Sequence, residues 1–269
     1  MTDKQEPEGV VQRPPRDNLV RAIFPGVEFR SDEIPVDGRL GTLTGHFAVF
    51  NQWTPIDSAW EGNFMEQIAP GAFRKTFAEN RAQMQVTFNH GRDPQLGDKV
   101  LGPIESLEED DTGAAYNVPL LDTSYNRDLL PALKLGLYGA SFRFRVMKED
   151  LVQKPKPGPY NPDALPERTV REVQVSEFGP VTYPAYAGAT AGVRSMTDDY
   201  ILSTFLREPE RLRALIESMR DEDPALPDIA VEAAPHSDAG SRVVLPPRPN
   251  RFKSREDYLQ WLISQTSAN

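Results

Sequence analysis

Residues 139–149 read GASFRFRVMKE, and from Ser141 to Val146 apolar and polar side chains alternate strictly. Successive side chains of a strand point to opposite faces. Phe142, Phe144 and Val146 therefore share one face, and Ser141, Arg143 and Arg145 share the other. A helix would scatter that pattern around its whole surface, so the segment predicts a strand with one buried face. Comparable runs recur at 18–30 (NLVRAIFPGVEFR), 39–51 (RLGTLTGHFAVFN), 114–121 (AAYNVPLL) and 171–186 (REVQVSEFGPVTYPAY). They are rich in Val, Phe, Tyr and Thr and are separated by turn-forming stretches such as SDEIPVDG and Asp111-Thr112-Gly113. The expectation is a mainly β, α+β chain with largely antiparallel pairing.

Helical spacing appears in few places. Phe73 and Phe77 lie four apart in IAPGAFRKTFAENRAQ (68–83), which reads as a turn entering a short helix. Tyr125, Leu129, Leu133 and Leu137 also step by four, with Gly136 as a stop signal. MQVTFNH (84–90) reads as a strand running into the loop GRDPQLGD. Five prolines in 153–167 predict an extended, exposed loop.

The ends differ in kind from the middle. Residues 1–18 are charged and Pro-rich, which reads as a disordered arm. Residues 19–195 are expected to form the folded domain. In 196–269, an amphipathic helix at 198–221 and a shorter one at 254–265 flank a Pro- and acid-rich linker at 222–250.

Composition narrows the chemistry. The 269 residues hold 40 acidic and 30 basic side chains, a formal charge of −10, which disfavours a general nucleic-acid binder. Cysteine is absent, so disulfides, thiolate metal sites and a cysteine nucleophile are all excluded. No apolar run approaches the roughly 20 residues a membrane helix needs, and no secretory signal is visible at the start. A soluble intracellular protein is expected. HExxH, P-loop and GxGxxG patterns are missing, so neither a metal nor a cofactor is expected. GxSxG is missing as well, which disfavours an α/β-hydrolase.

The chain has three histidines, at 46, 90 and 236. His236 falls in the linker and reads as solvated. His46 is mid-strand, where a packed or surface histidine is the plain alternative to a functional one. His90 ends an apolar strand beside Gly91, a position that presents its imidazole at a loop edge. Ser141 follows Gly139 and Ala140, whose small size lets another backbone come close. Two arginines on its strand face could help a developing oxyanion; an ordinary solvated face is the alternative. Glu177 sits near the end of an apolar strand, where a carboxylate could orient a histidine or lie exposed at an edge.

In order, GHFAVFN, FMEQIAPGAF, VTFNHGRDPQLG, VLGPIESLEEDDTGAAYNVPL, LKLGLYGASFRFRV and VSEFGPVTYPAY resemble the tailed-phage (caudovirus) prohead proteases across about residues 20–195. The resemblance implies a fold similar to the herpesvirus assemblin proteases, a β-barrel core with flanking helices. It implies a serine endopeptidase without a cofactor that works inside the procapsid in the host cytoplasm. Its substrates would be scaffold protein, or a scaffold-like segment of the major capsid protein, and the chain itself. By the same resemblance Ser141 is the nucleophile, His90 its base and Glu177 the orienting acid. His46 is the rival third member, because herpesvirus relatives use a second histidine there. Arg143 and Arg145 become secondary oxyanion supports, and a homodimer becomes an expected assembly. A capsid assembly or scaffold protein that keeps the fold without proteolysis is the competing function.

Overall fold

The computed structural model describes residues 13–24, 26–31, 38–182, 192–207 and 261. Its strands run in chain order β1 (Leu19–Phe24), β2 (Glu28–Arg30), β3 (Arg39–Val49), β4 (Thr54–Ser58), β5 (Gly62–Ile68), β6 (Gln85–Val86), β7 (Ser106–Glu109), β8 (Gly113–Leu121), β9 (Tyr138–Val152), β10 (Glu167–Thr182) and β11 (Gly192–Ser195). The α-helices are α1 (Arg74–Glu79), α2 (Ser124–Lys134) and α3 (Thr197–Arg207). The mainly β, α+β expectation holds.

The strands form two sheets. The larger has the order β11-β1-β9-β10-β5-β4, with β6 also pairing β10; the smaller has the order β2-β3-β8-β7. Alternation in β9 is realised as expected: Phe142, Phe144 and Val146 are buried while Arg145 is exposed. Phe47 of β3 joins the sheets, its ring 5.2 Å from Phe142 and 4.8 Å from Phe178. Phe73, Phe77 and Tyr116 extend that cluster. Full burial of each such ring contributes on the order of 1.5–3 kcal/mol.

Neither sheet closes on itself among the described residues. β11 and β4 at the two ends of the larger sheet come into contact but exchange no ladder. The barrel implied by the assemblin likeness is thus two open, packed sheets. Pro55 in β4 has no N–H to donate, and β11 has only four residues, so neither edge offers a long ladder.

Local signals place the helices. Thr123 caps α2 by accepting from the Asn126 N–H at 3.3 Å, and Gly136 takes a positive φ of 65° just past its end. Leu129 and Leu133 are buried, whereas Leu137 falls beyond the helix and is exposed. The Pro-rich 153–167 segment is the turn between β9 and β10. It is mostly exposed, as expected, but the buried Asn161 pins it through Leu165 and Glu167.

The expected strand over 84–90 stops at Val86, because Asn89, His90 and Gly91 all have positive φ (48°, 59° and 70°) and turn the chain. Of the predicted helix at 198–221, α3 forms the first part and packs through Thr197, Asp198, Ile201 and Leu202. Residues 1–12, the rest of that helix, the linker with His236 and most of 254–265 lie outside the described residues.

Candidate active site

β10 changes partner along its length, and that change builds the site. It pairs β5 at Glu167–Val170 and β6 at Glu177–Phe178. β6 leads directly into Thr87 and the Asn89–Gly91 turn, so the turn is laid beside the end of β10. On the other side of β10, β9 places Ser141 opposite Gly179, and β1 places Ala22 opposite Ser141. Gly179 is required by contact: a Cβ there would lie 2.0 Å from the Thr87 carbonyl oxygen.

The left-handed turn aims the imidazole back at the sheet. Asn and Gly adopt positive φ readily, whereas the His90 backbone is held there at a cost of about 1–2 kcal/mol. Asn89 secures the turn. Its side-chain oxygen accepts from the Thr182 N–H at 2.8 Å, and its amide donates to the Thr182 hydroxyl at 2.9 Å.

Three of the predicted residues then form one continuous chain of hydrogen bonds. His90 Nε2 lies 2.8 Å from Ser141 Oγ, and His90 Nδ1 is hydrogen-bonded to Glu177 Oε1. The other carboxylate oxygen accepts from the Thr87 hydroxyl at 2.5 Å. Ser141 is fully buried, and the His90 and Glu177 side chains are 6% and 9% exposed. Burial pushes the Glu177 carboxyl up, but His90, Thr87 and Arg143 together hold it below the usual carboxylate range. A carboxylate there fixes the Nδ1–H tautomer and leaves Nε2 free to accept a proton.

Ser141 has a second contact, the Arg21 carbonyl oxygen at 2.9 Å. A hydroxyl carries one proton, so it donates either to Arg21 or to His90. Donation to neutral His90 is the arrangement that readies the oxygen for attack.

The remaining predicted residues part company. Arg143 stays with the group. Its Nε lies 3.7 Å from Glu177 Oε1 and makes no hydrogen bond, and its Nη1 donates to the Tyr200 hydroxyl at 2.9 Å. Arg145 turns outward and pairs with Asp17 at 2.5 Å. His46 is in the smaller sheet and pairs with Asp110 at 2.7 Å.

α3 covers the group. The Tyr200 ring stands edge-on to His90 at 6.1 Å and lies under the Arg92 guanidinium at 3.5 Å. Arg92 also donates to Ser203 Oγ and, at 2.6 Å, to Thr204 Oγ1. Burial brings the Arg92 guanidinium down to about 10, against the opposing pull of Tyr200 and Glu177. Thr87, Arg92 and Tyr200 escaped the sequence reading. Thr87 and Arg92 lie within three residues of His90, the one available hint; Tyr200 had none, being in a segment read as tail. Among the described residues no three His, Asp or Glu side chains converge as a metal site needs.

A hydroxyl, an imidazole and a carboxylate in series are the parts of a serine hydrolase, and a family model decides which kind. The model described as caudovirus prohead serine protease matches residues 26–200. The chain belongs to the caudovirus prohead serine protease family. It is thus a serine protease of phage capsid maturation, acting on capsid-related protein within the prohead. No curated protein is significantly similar to this prohead protease over its sequence. Among solved structures it is similar to the bacteriophage T4 capsid assembly protease, gp21. That likeness has 13% identity and a TM-score of 0.36, covering 62% of this chain and 98% of the other.

Proposed function

We propose that Ser141, His90 and Glu177 are the catalytic triad of this prohead protease. The observation that carries the reading is the unbroken Ser141–His90–Glu177 hydrogen-bond chain, assembled from two strands and a turn. His90 Nε2 takes the Ser141 proton as Oγ attacks the scissile carbonyl. Glu177 holds the imidazole in place and stabilises the imidazolium. His90 then protonates the leaving amine, and water releases the acyl group from Ser141.

Ser141 is paired on both sides, with Ala22 and Gly179, which commits its own N–H to the ladder. Arg143, two residues along the same face, stays with the group while Arg145 pairs outward with Asp17, so Arg143 is the better placed oxyanion support of the two arginines. The substrates are scaffold protein, or a scaffold-like segment of the major capsid protein, and the chain itself. Cleavage takes place inside the procapsid in the host cytoplasm. Residues 19–195 form the protease domain together with α3, which packs on them through Thr197, Asp198, Ile201 and Leu202; the rest of 196–269 acts as a tether that self-cleavage releases, and copies pair as homodimers at the high local concentration of a procapsid.

Co-expression with the cognate capsid protein tests this reading. Intact mass spectrometry should show shortened capsid protein with wild type and full-length capsid protein with Ser141→Ala. Equal cutting by both proteins would remove Ser141 from the mechanism.

A further inference from the structure

Glu177 has two oxygens, and only one faces His90. The other accepts the Thr87 hydroxyl at 2.5 Å, with Thr87 itself 4% exposed. The Thr87 backbone is fastened to the same stretch of β10. Its N–H donates to the Phe178 carbonyl at 3.1 Å, and its carbonyl lies against Gly179, where a Cβ would come within 2.0 Å. Thr87 is therefore locked to residues 178 and 179 while its side chain reaches back to 177.

A glutamate needs that help. Its terminal torsion has a broad, nearly two-fold profile, so the carboxylate plane is poorly fixed by rotamer preference alone. Bound only through Oε1, the plane could swing about its contact with His90. A hydroxyl on Oε2 removes that freedom and delivers Oε1 to the Nδ1–H in one orientation. It also supplies a neutral donor to a carboxylate that burial would otherwise disfavour.

We infer that Thr87 is a positioning residue for catalysis, acting on Ser141 through Glu177 and His90. The inference rests on the triad reading above. Thr87 bonds to Glu177, which bonds to His90, which in turn reaches Ser141. Among the described residues the charged and titratable groups around the carboxylate are His90 from the turn, Arg143 from β9 and Arg92 from the loop after His90, with Tyr200 of α3 packed on all three. Thr87 is the neutral donor of the set, which makes its hydroxyl removable without altering net charge.

The test uses the full chain and a fluorophosphonate probe, whose fluoride is displaced when the serine oxygen bonds to phosphorus. Labelling rates at Ser141 are measured against pH for wild type, Thr87→Val, Thr87→Ala, Thr87→Ser and Glu177→Gln, each below its own melting temperature. Loss of the hydroxyl should slow labelling about 10- to 100-fold, by analogy with the outer-shell partners that orient the ligands of metal sites. Without that donor Glu177 takes up its proton at higher pH, so the acid limb of the rate profile should move upward in Thr87→Val. Thr87→Ser should restore both rate and limb. In a Glu177→Gln background, Thr87→Val should cost nothing further, whereas a structural role would add its cost.

The two readings fail separately. If Glu177→Gln labels at the wild-type rate, the triad reading falls and the inference falls with it. If Glu177→Gln is slow while Thr87→Val or Thr87→Ala keeps the wild-type rate and acid limb, the triad stands and Thr87 has no positioning role.

Discussion

Glu177 shows what a single buried side chain commits this protein to. Its carboxyl is held below the usual range by His90, Thr87 and Arg143 despite burial. A depressed carboxyl stabilises the fold fully above its unfolded value, near pH 4.3, and loses that contribution as pH falls through the folded value. Wild type should therefore be more stable than Glu177→Gln at neutral pH, and their melting temperatures should converge as pH drops from about 5 toward 3. A gap that stays constant over that window would mean the carboxylate is not selectively stabilised. The same substitution should slow proteolysis by about 10²–10⁴-fold, since it disturbs the tautomer without removing the base. At this scale the sequence singled out Ser141, His90 and Glu177, and the structure brings those three side chains together. It was silent where partners are far apart in the chain. Nothing in the local pattern marks Tyr200 as the ring beside His90, because that contact exists only once β11 has paired with β1 and returned the chain to the site.

Elements were legible when one face met the core and less so when a turn intervened. The alternation of β9, the Phe73–Phe77 pair and the Leu129–Leu133 step correspond to buried faces. The strand expected at 84–90 broke after Val86, since backbone conformation at Asn89–Gly91 overrides an apolar run. α3 is the element whose role was least apparent, because its anchors are polar. Asp198 accepts from the Ser58 hydroxyl at 2.6 Å, the Ala59 N–H at 2.9 Å and the Trp60 N–H at 3.0 Å. It thereby fastens the first turn of α3 to the β4–β5 connection. Asp198→Ala should cost about 1–3 kcal/mol, because the buried Trp60 N–H and the half-buried Ala59 N–H lose a charged acceptor. Urea titration would measure the loss, and hydrogen exchange should quicken in α3 ahead of β9 and β10. Unchanged exchange in α3 would show that Asp198 does not hold it.

Across the whole molecule, one ionic network links segments that the chain keeps far apart. Arg21 is fully buried, with Nη2 2.6 Å from Glu61 and Nε 2.7 Å from Glu66. Arg168, also fully buried, reaches Glu66 at 3.5 Å and Glu149 at 2.7 Å. Glu149 in turn receives Arg13 and Arg16, and Glu61 accepts from Ser195 at 2.7 Å. Arg21 thus fixes the strand whose own carbonyl oxygen lies 2.9 Å from Ser141 Oγ. Such pairings are invisible in sequence, since Glu61 in the β4–β5 connection and Glu66 in β5 stand 40 and 45 residues from Arg21. Replacing a whole buried ion pair by apolar groups can be neutral, but removing one partner strands the other. Glu61→Gln should destabilise the fold by about 3–5 kcal/mol, and the loss should persist in 1 M salt because buried pairs are weakly screened. A loss under about 1 kcal/mol, or one abolished by salt, would place the cluster in contact with solvent.

The triad requires that His90 activate Ser141 as the nucleophile. Peptide mapping after fluorophosphonate treatment tests it most directly. Wild type should carry a single adduct on Ser141, and His90→Ala should lose it. An adduct on a different serine, or undiminished labelling of Ser141 in His90→Ala, would contradict it.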